Sequence, residues 1–248
     1  MSQGYSSGSL TPGTLSVGGG GTGRTTQTAY AVLCGGTTTT AAQQSIASVG
    51  TTGQVLTSNG AAALPTFQAA GAGGGGNVFL ASATASASAS LTFATGIDAT
   101  YNCYMFVLDN LLMASASTFF RFRTSTNGGS SYDTGLSDYS YNVWYQAGTG
   151  AVSYIQDDAD SKINIIKAQG NSANNGLSGI LYLVNPSGTG YTQCLFSTRG
   201  TANTGDQHMT TGSGTRLSAA DVDAVQFVNS SGNIASGTIS MYGMTTPS

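Results

Sequence analysis

From residue 77 onward, apolar and polar side chains alternate with a period of two in run after run. That is the repeat of a β-strand, whose successive side chains point to opposite faces. The clearest run is Phe120-Arg121-Phe122-Arg123, aromatics on one face and arginines on the other, with Asn127-Gly128-Gly129 as the turn that follows. In residues 101–109 (YNCYMFVLD), Cys103, Met105 and Val107 fall on one face and Tyr104, Phe106 and Leu108 on the other. Both sets are apolar, which predicts a strand covered on both faces. Residues 139–145 place Tyr139, Tyr141, Val143 and Tyr145 together, opposite Ser140, Asn142 and Trp144. Further strands are predicted at 77–81 (paired with 90–94), 162–166, 179–185, 193–198, 224–229 and 237–242. Residues 228–234 read as a hairpin loop. Only 218–225 (SAADVDAV) has helical character, a single turn capped by Ser218. The pattern predicts an all-β fold, an antiparallel β-sandwich of jelly-roll type.

Before residue 77 this texture is missing. In residues 1–28 the apolar anchors Leu10, Leu15 and Val17 are isolated, and Pro12-Gly13 marks a turn. Within 29–70, Tyr30, Val32 and Cys34 alternate with smaller residues as in a short strand. Residues 54–57 (QVLT) form another, closed by Ser58-Asn59-Gly60. Strands this short do not make an independent sheet. The glycine-rich stretch AGAGGGG (70–76) separates the two textures, with no side chains to pack and high backbone entropy. Four parts follow: an attachment segment (1–28), a shaft of short strands (29–70), a glycine hinge (71–76) and a head domain (77–248).

Composition sharpens this division. Residues 1–76 carry one formal charge, Arg24, and three aromatics, Tyr5, Tyr30 and Phe67. The chain has no Glu and only two lysines, Lys162 and Lys167, which argues against solvent-facing helices. With a net charge of −3 and five scattered arginines it cannot build the basic stripe that nucleic acid requires. No apolar run approaches a transmembrane helix, and MSQGYSSGSL lacks the basic and apolar regions of a signal peptide. Cys34, Cys103 and Cys194, odd in number and widely spaced, predict reduced, buried thiols.

Several motifs invite a chemical reading. GGGGTGRT (18–25) has phosphate-loop spacing, but Arg24 stands where lysine is needed and no helix follows. Gly71, Gly73 and Gly76 meet the dinucleotide spacing, yet a strand follows them. His208, the only histidine, sits in the polar stretch TGDQHMTTG and reads as a surface residue. Asp157, Asp158 and Asp160 offer carboxylates to a cation, but no further acidic ligand sits at loop spacing and a solvated turn is the reading preferred. No catalytic residue, cofactor or metal is expected. Trp144 differs from these: if Tyr139, Tyr141, Val143 and Tyr145 face inward, Trp144 projects outward beside Asn142, a ring flanked by a hydrogen-bonding amide. Asn142 and Trp144 are the candidate adhesive surface.

The segment GGTGRTTQTAYAVLCGG followed by GTTGQVLTSNGAAALPTFQ (residues 20–68) resembles a module of tail-fibre and related virion proteins of tailed bacteriophages. The ending GNIASGTISMYGM is similar to the closing strand pair of β-sandwich domains in such proteins. The resemblance implies a non-enzymatic fibre subunit of the virion, assembled in the host cytoplasm as a homotrimer. It implies further that residues 1–28 join other virion proteins, that the head meets a host surface glycan or protein, and that nothing inserts into a membrane. The alternatives are a head-fibre, decoration or tail-tip component without receptor binding, and a small polysaccharide depolymerase.

Overall fold

The computed structural model describes residues 21–70, 76–146, 148, 150 and 152–244. The chain divides between Gly73 and Gly74 into two units. The expectations for Leu10, Pro12-Gly13, Leu15 and Val17, and for the glycines at 71–75, lie outside the described residues.

In the first unit, β1 (Leu33–Cys34) pairs with β2 (Gln44–Ser45) and β3 (Gln54–Thr57) with β4 (Thr66–Ala69), both antiparallel. A single apolar side chain, Ile46, is buried among the described residues of this unit. Polar contacts do most of the local fastening. Arg24 Nη1 donates to Ser45 Oγ at 2.8 Å, and Asn59 Nδ2 donates to the Leu64 carbonyl at 2.8 Å across the β3–β4 loop. Gly60 stands in that loop at φ 101°, a conformation that needs glycine. The strand expected to begin at Tyr30 is shorter: Tyr30 lies in a turn with φ 63°, its ring exposed.

The second unit contains twelve strands: β5 (Asn77–Thr84), β6 (Ser90–Phe93), β7 (Cys103–Met113), β8 (Thr118–Ser125), β9 (Tyr139–Gln146), β10 (Val152–Asp160), β11 (Ile163–Gln169), β12 (Leu177–Val184), β13 (Gln193–Thr201), β14 (Gln207–Arg216), β15 (Ala224–Asn229) and β16 (Ile234–Met244). They form a large sheet in the order β10-β9-β14-β13-β12-β7-β16-β5 and a small one in the order β11-β8-β15-β6. Neighbouring strands in both sheets are antiparallel, and there is no helix among the described residues.

One apolar core joins the two sheets. The large sheet contributes Tyr104, Phe106, Leu108, Leu181, Leu183, Ile239 and Met241, the small sheet Phe93, Phe120, Phe122, Ile163, Val225 and Phe227. Phe227 is the hub, with ring centroids 5.3 Å from Phe122, 5.4 Å from Phe106, 6.0 Å from Phe120 and 6.4 Å from Phe93. Buried rings of this size supply most of the apolar area, and edge-to-face contacts align their quadrupoles. A polar knot closes one end of the core. The Thr124 N–H donates to the Tyr139 phenol at 2.8 Å, while Asp133 Oδ2 accepts from Thr124 Oγ1 at 3.0 Å and from Arg216 Nε at 2.7 Å.

The strands assort differently from the sequence expectation in several places. Ser90–Phe93 does not pair with β5; it crosses to the small sheet and pairs with β15, which buries Leu91 and sets the Phe93 ring edge-on to Phe106. Residues 230–233 carry the chain from one sheet to the other and are no hairpin. The stretch 218–225 has no helical turn: Val222 is buried, its N–H donating to the Pro186 carbonyl at 2.9 Å, and β15 begins at Ala224. Two strands absent from the prediction, β10 and β14, extend the large sheet. On β7, Tyr104, Phe106 and Leu108 enter the core as the alternation implies, and on the opposite side Met105 is buried too, while Cys103 and Val107 are only half-buried. Of the three thiols, Cys194 alone is buried, which pushes it up to about 12.

Candidate functional site

The outer face of the large sheet is set by the alternation of β9. Tyr139, Tyr141, Val143 and Tyr145 are buried, and Asn142, Trp144 and Gln146 turn to solvent. Burial pushes the Tyr139 and Tyr141 phenols up to about 12, so both remain neutral hydrogen-bonding groups at ordinary pH. With one face anchored this way, the register of β9 cannot slip without moving every tyrosine into water.

Trp144 does not stand alone. Antiparallel pairing puts Tyr154 of β10 directly opposite it and Gln156 opposite Asn142. The Trp144 and Tyr154 rings lie 5.1 Å apart at 49°, with Trp144 56% and Tyr154 48% exposed. The Tyr154 phenol is 2.6 Å from Asn142 Oδ1 and 2.9 Å from Gln156 Oε1, and its single proton serves one of them at a time. Gln156 Nε2 in turn donates to Asp158 Oδ1 at 3.0 Å. Two tilted rings are therefore rimmed by two amides and a carboxylate, and the Trp144 indole N–H is uncommitted among the described residues. Such a surface offers stacking to a flat apolar face and directed donors and acceptors to hydroxyls around it.

Farther across the same face the chemistry becomes apolar. Phe79, Tyr242, Met105, Tyr182 and Leu195 follow one another as direct cross-strand partners, and the row continues through Ser213 to Asn142. The adjacent row runs Val107, Ile180, Ser197, Thr211 to Trp144. A shallow depression of about 450 Å³ lies between them, lined by Ile180, Tyr182, Leu195, Ser197 and Thr211 with no carboxylate.

The other residues nominated from sequence do not converge. Asp157 Oδ1 accepts from the Ala159 N–H, Asp158 is held by Gln156, and Asp160 turns inward past a bulge to pair with Lys162. No three metal-ligating side chains gather among the described residues. His208 is not in a surface loop: it lies in β14, buried, its ring edge-on to Tyr145 at 4.8 Å. The described part of the phosphate-loop-like run, from Gly21, opens no helix. Tyr154 and Gln156 escaped the sequence reading because β10 ends in the polar DDAD. The signal for them was the alternation of VSYIQ, with Val152, Tyr154 and Gln156 sharing a face.

Comparison of the chain with family models, curated proteins and solved structures gives no match.

Proposed function

We propose that this chain is a fibre-like structural subunit of a tailed-bacteriophage virion. In this reading its head is a jelly-roll-like β-sandwich that assembles as a homotrimer and adheres to a host-surface glycan or protein, without enzymatic activity. The observation that carries it is the outward pair Trp144–Tyr154 with Asn142 and Gln156 at its rim. An exposed indole is costly for solubility and is retained where it makes contact, and aromatic residues dominate binding surfaces. Residues 1–28 attach the subunit to other virion proteins in this account, and residues 29–70 form the shaft.

The uncharged row Phe79, Tyr242, Met105, Tyr182 and Leu195 supports the trimeric part of the reading. It borders the adhesive patch without overlapping it, and a second copy supplies the same uncharged apolar chemistry. This row also favours a second reading, in which the sheet packs against neighbours in a head-fibre, decoration or tail-tip role. Adsorption separates the two. Replacing Trp144 by Ala leaves far-ultraviolet dichroism and the oligomeric state unchanged under either reading. Under adhesion, particle binding to cells falls about tenfold, the equivalent of ~1.4 kcal/mol. Unchanged adsorption removes Trp144 from the receptor surface and favours the packing role.

A further inference from the structure

Arg121 and Arg123 occupy the outer face of β8, about 7 Å apart along the strand, while Phe120 and Phe122 between and beside them fill the core. The strand lies inside the small sheet, between β11 and β15, so the two guanidiniums emerge from the middle of a face and not from its rim. Gln226 is the cross-strand partner of Arg123, and Asn164 and Val228 flank Arg121. Both arginine stems are half-buried, and the Nε of each is shut off from solvent with no acceptor among the described residues.

Among the described residues neither guanidinium has a counter-ion. The two ion pairs among the described residues are Lys162–Asp160 and Arg216–Asp133. Asp160 is the carboxylate whose charge acts on Arg121, but its oxygens are committed: Oδ1 to Lys162 and to the Ser161 N–H at 2.6 Å, Oδ2 to the Tyr141 phenol at 3.2 Å. Burial and the like charge of Arg123 both press the Arg121 guanidinium toward a lower pKa. An arginine kept only for solubility extends its head into water. Here two adjacent cations hold desolvated donors without acceptors, an arrangement that an oxyanion relieves through paired N–H···O bonds.

We propose that Arg121 and Arg123 form a binding site for a doubly charged oxyanion of the phosphate or sulfate type, with Gln226 beside it. The site lies on the small sheet and is independent of the adhesive reading of the large one. Its ligand is either the free ion or the same group carried on a sugar.

Calorimetric titration of the full chain with inorganic phosphate, sulfate and glucose 6-phosphate, at constant ionic strength in chloride, tests this. The expected result is saturable binding at one ion per chain. Because arginine stays charged while the sugar phosphate loses its second proton at about pH 6 and inorganic phosphate at about pH 7, the affinity of both rises between pH 5.5 and 7.5 and sulfate affinity does not. Arg121→Lys and Arg123→Lys keep the charge but lose the planar fork, and each weakens binding at least fivefold. The Arg121→Gln/Arg123→Gln double variant abolishes it; should that variant not fold, the two lysine variants decide. Tighter binding of the sugar phosphate assigns a phosphorylated glycan, and equal affinity assigns the free ion. Absence of saturable binding, or affinity unchanged in the lysine variants, overturns the proposal.

Discussion

At the scale of single residues, the buried tyrosines of β9 decide which way the strand faces. Tyr139 has no exposed surface, and its phenol accepts from the Thr124 N–H. Folding raises this acid from its ordinary 10.0 to about 12, chiefly through burial. Its contribution is intact below pH 10. Above that the unfolded chain ionises first, so stability falls by about 1.4 kcal/mol per pH unit until the folded phenol also titrates near pH 12. Urea midpoints measured at pH 9, 10 and 11 are expected to drop accordingly. In Tyr139→Phe the drop is shallower by that amount, while stability at pH 7 is about 2 kcal/mol lower because the Thr124 N–H loses its acceptor. An unchanged alkaline slope in the variant would show that another group carries the transition.

At the scale of elements, β14 is the strand that holds the Trp144–Tyr154 patch in register, with Thr211 opposite Trp144 and Gly212 opposite Val143. Gly212 points inward, where an added Cβ would stand 2.6 Å from the Asn142 carbonyl oxygen and 2.8 Å from the Phe196 ring. Phe196 lies against this bare backbone, so glycine here admits a ring and lets β9 and β14 close. Gly212→Ala is expected to cost about 2 kcal/mol by overpacking, measured as a shift of the urea midpoint. The same crowding pushes on β9 at Asn142, so tryptophan emission from Trp144 is expected to shift in the folded state. A variant as stable as the parent would mean that the sheet yields more easily than its contacts suggest.

At the scale of the whole molecule, the outer face of the large sheet carries an uncharged apolar row, with Leu195 half exposed at the end nearest β14. The proposed trimer uses that row. Sedimentation of the full chain at micromolar concentration is expected to give a trimer, and Leu195→Asp a monomer with unaltered far-ultraviolet dichroism. Burying an unpaired carboxylate at a subunit contact is strongly unfavourable, whereas on a free sheet face it is harmless. A monomeric parent chain would refute the assignment of this face to self-association and leave the row as a contact for another protein.

The sequence by itself determined what is local. Period-two alternation set the faces of β9, so the outward projection of Trp144 and Asn142 was legible, as were the Phe120/Phe122 and Arg121/Arg123 faces of β8. The change of texture at the glycine run was legible too. What only the tertiary structure decided is which strands meet. Ser90–Phe93 joins the small sheet, where its one ring, Phe93, packs against Phe106, and no residue near it carries that information. β10 was hidden because it ends in the polar DDAD, and β14 because its outward face is mostly polar and glycines replace large side chains on its inward face. Their place is dictated by backbone hydrogen bonding to β9, which any sequence can make. The pairing of Tyr154 with Trp144, the burial of His208 and the lack of a counter-ion at Arg121 and Arg123 all depend on contacts between residues distant in the chain. Alternation specifies a face, but only the packed sheets specify what stands across from it.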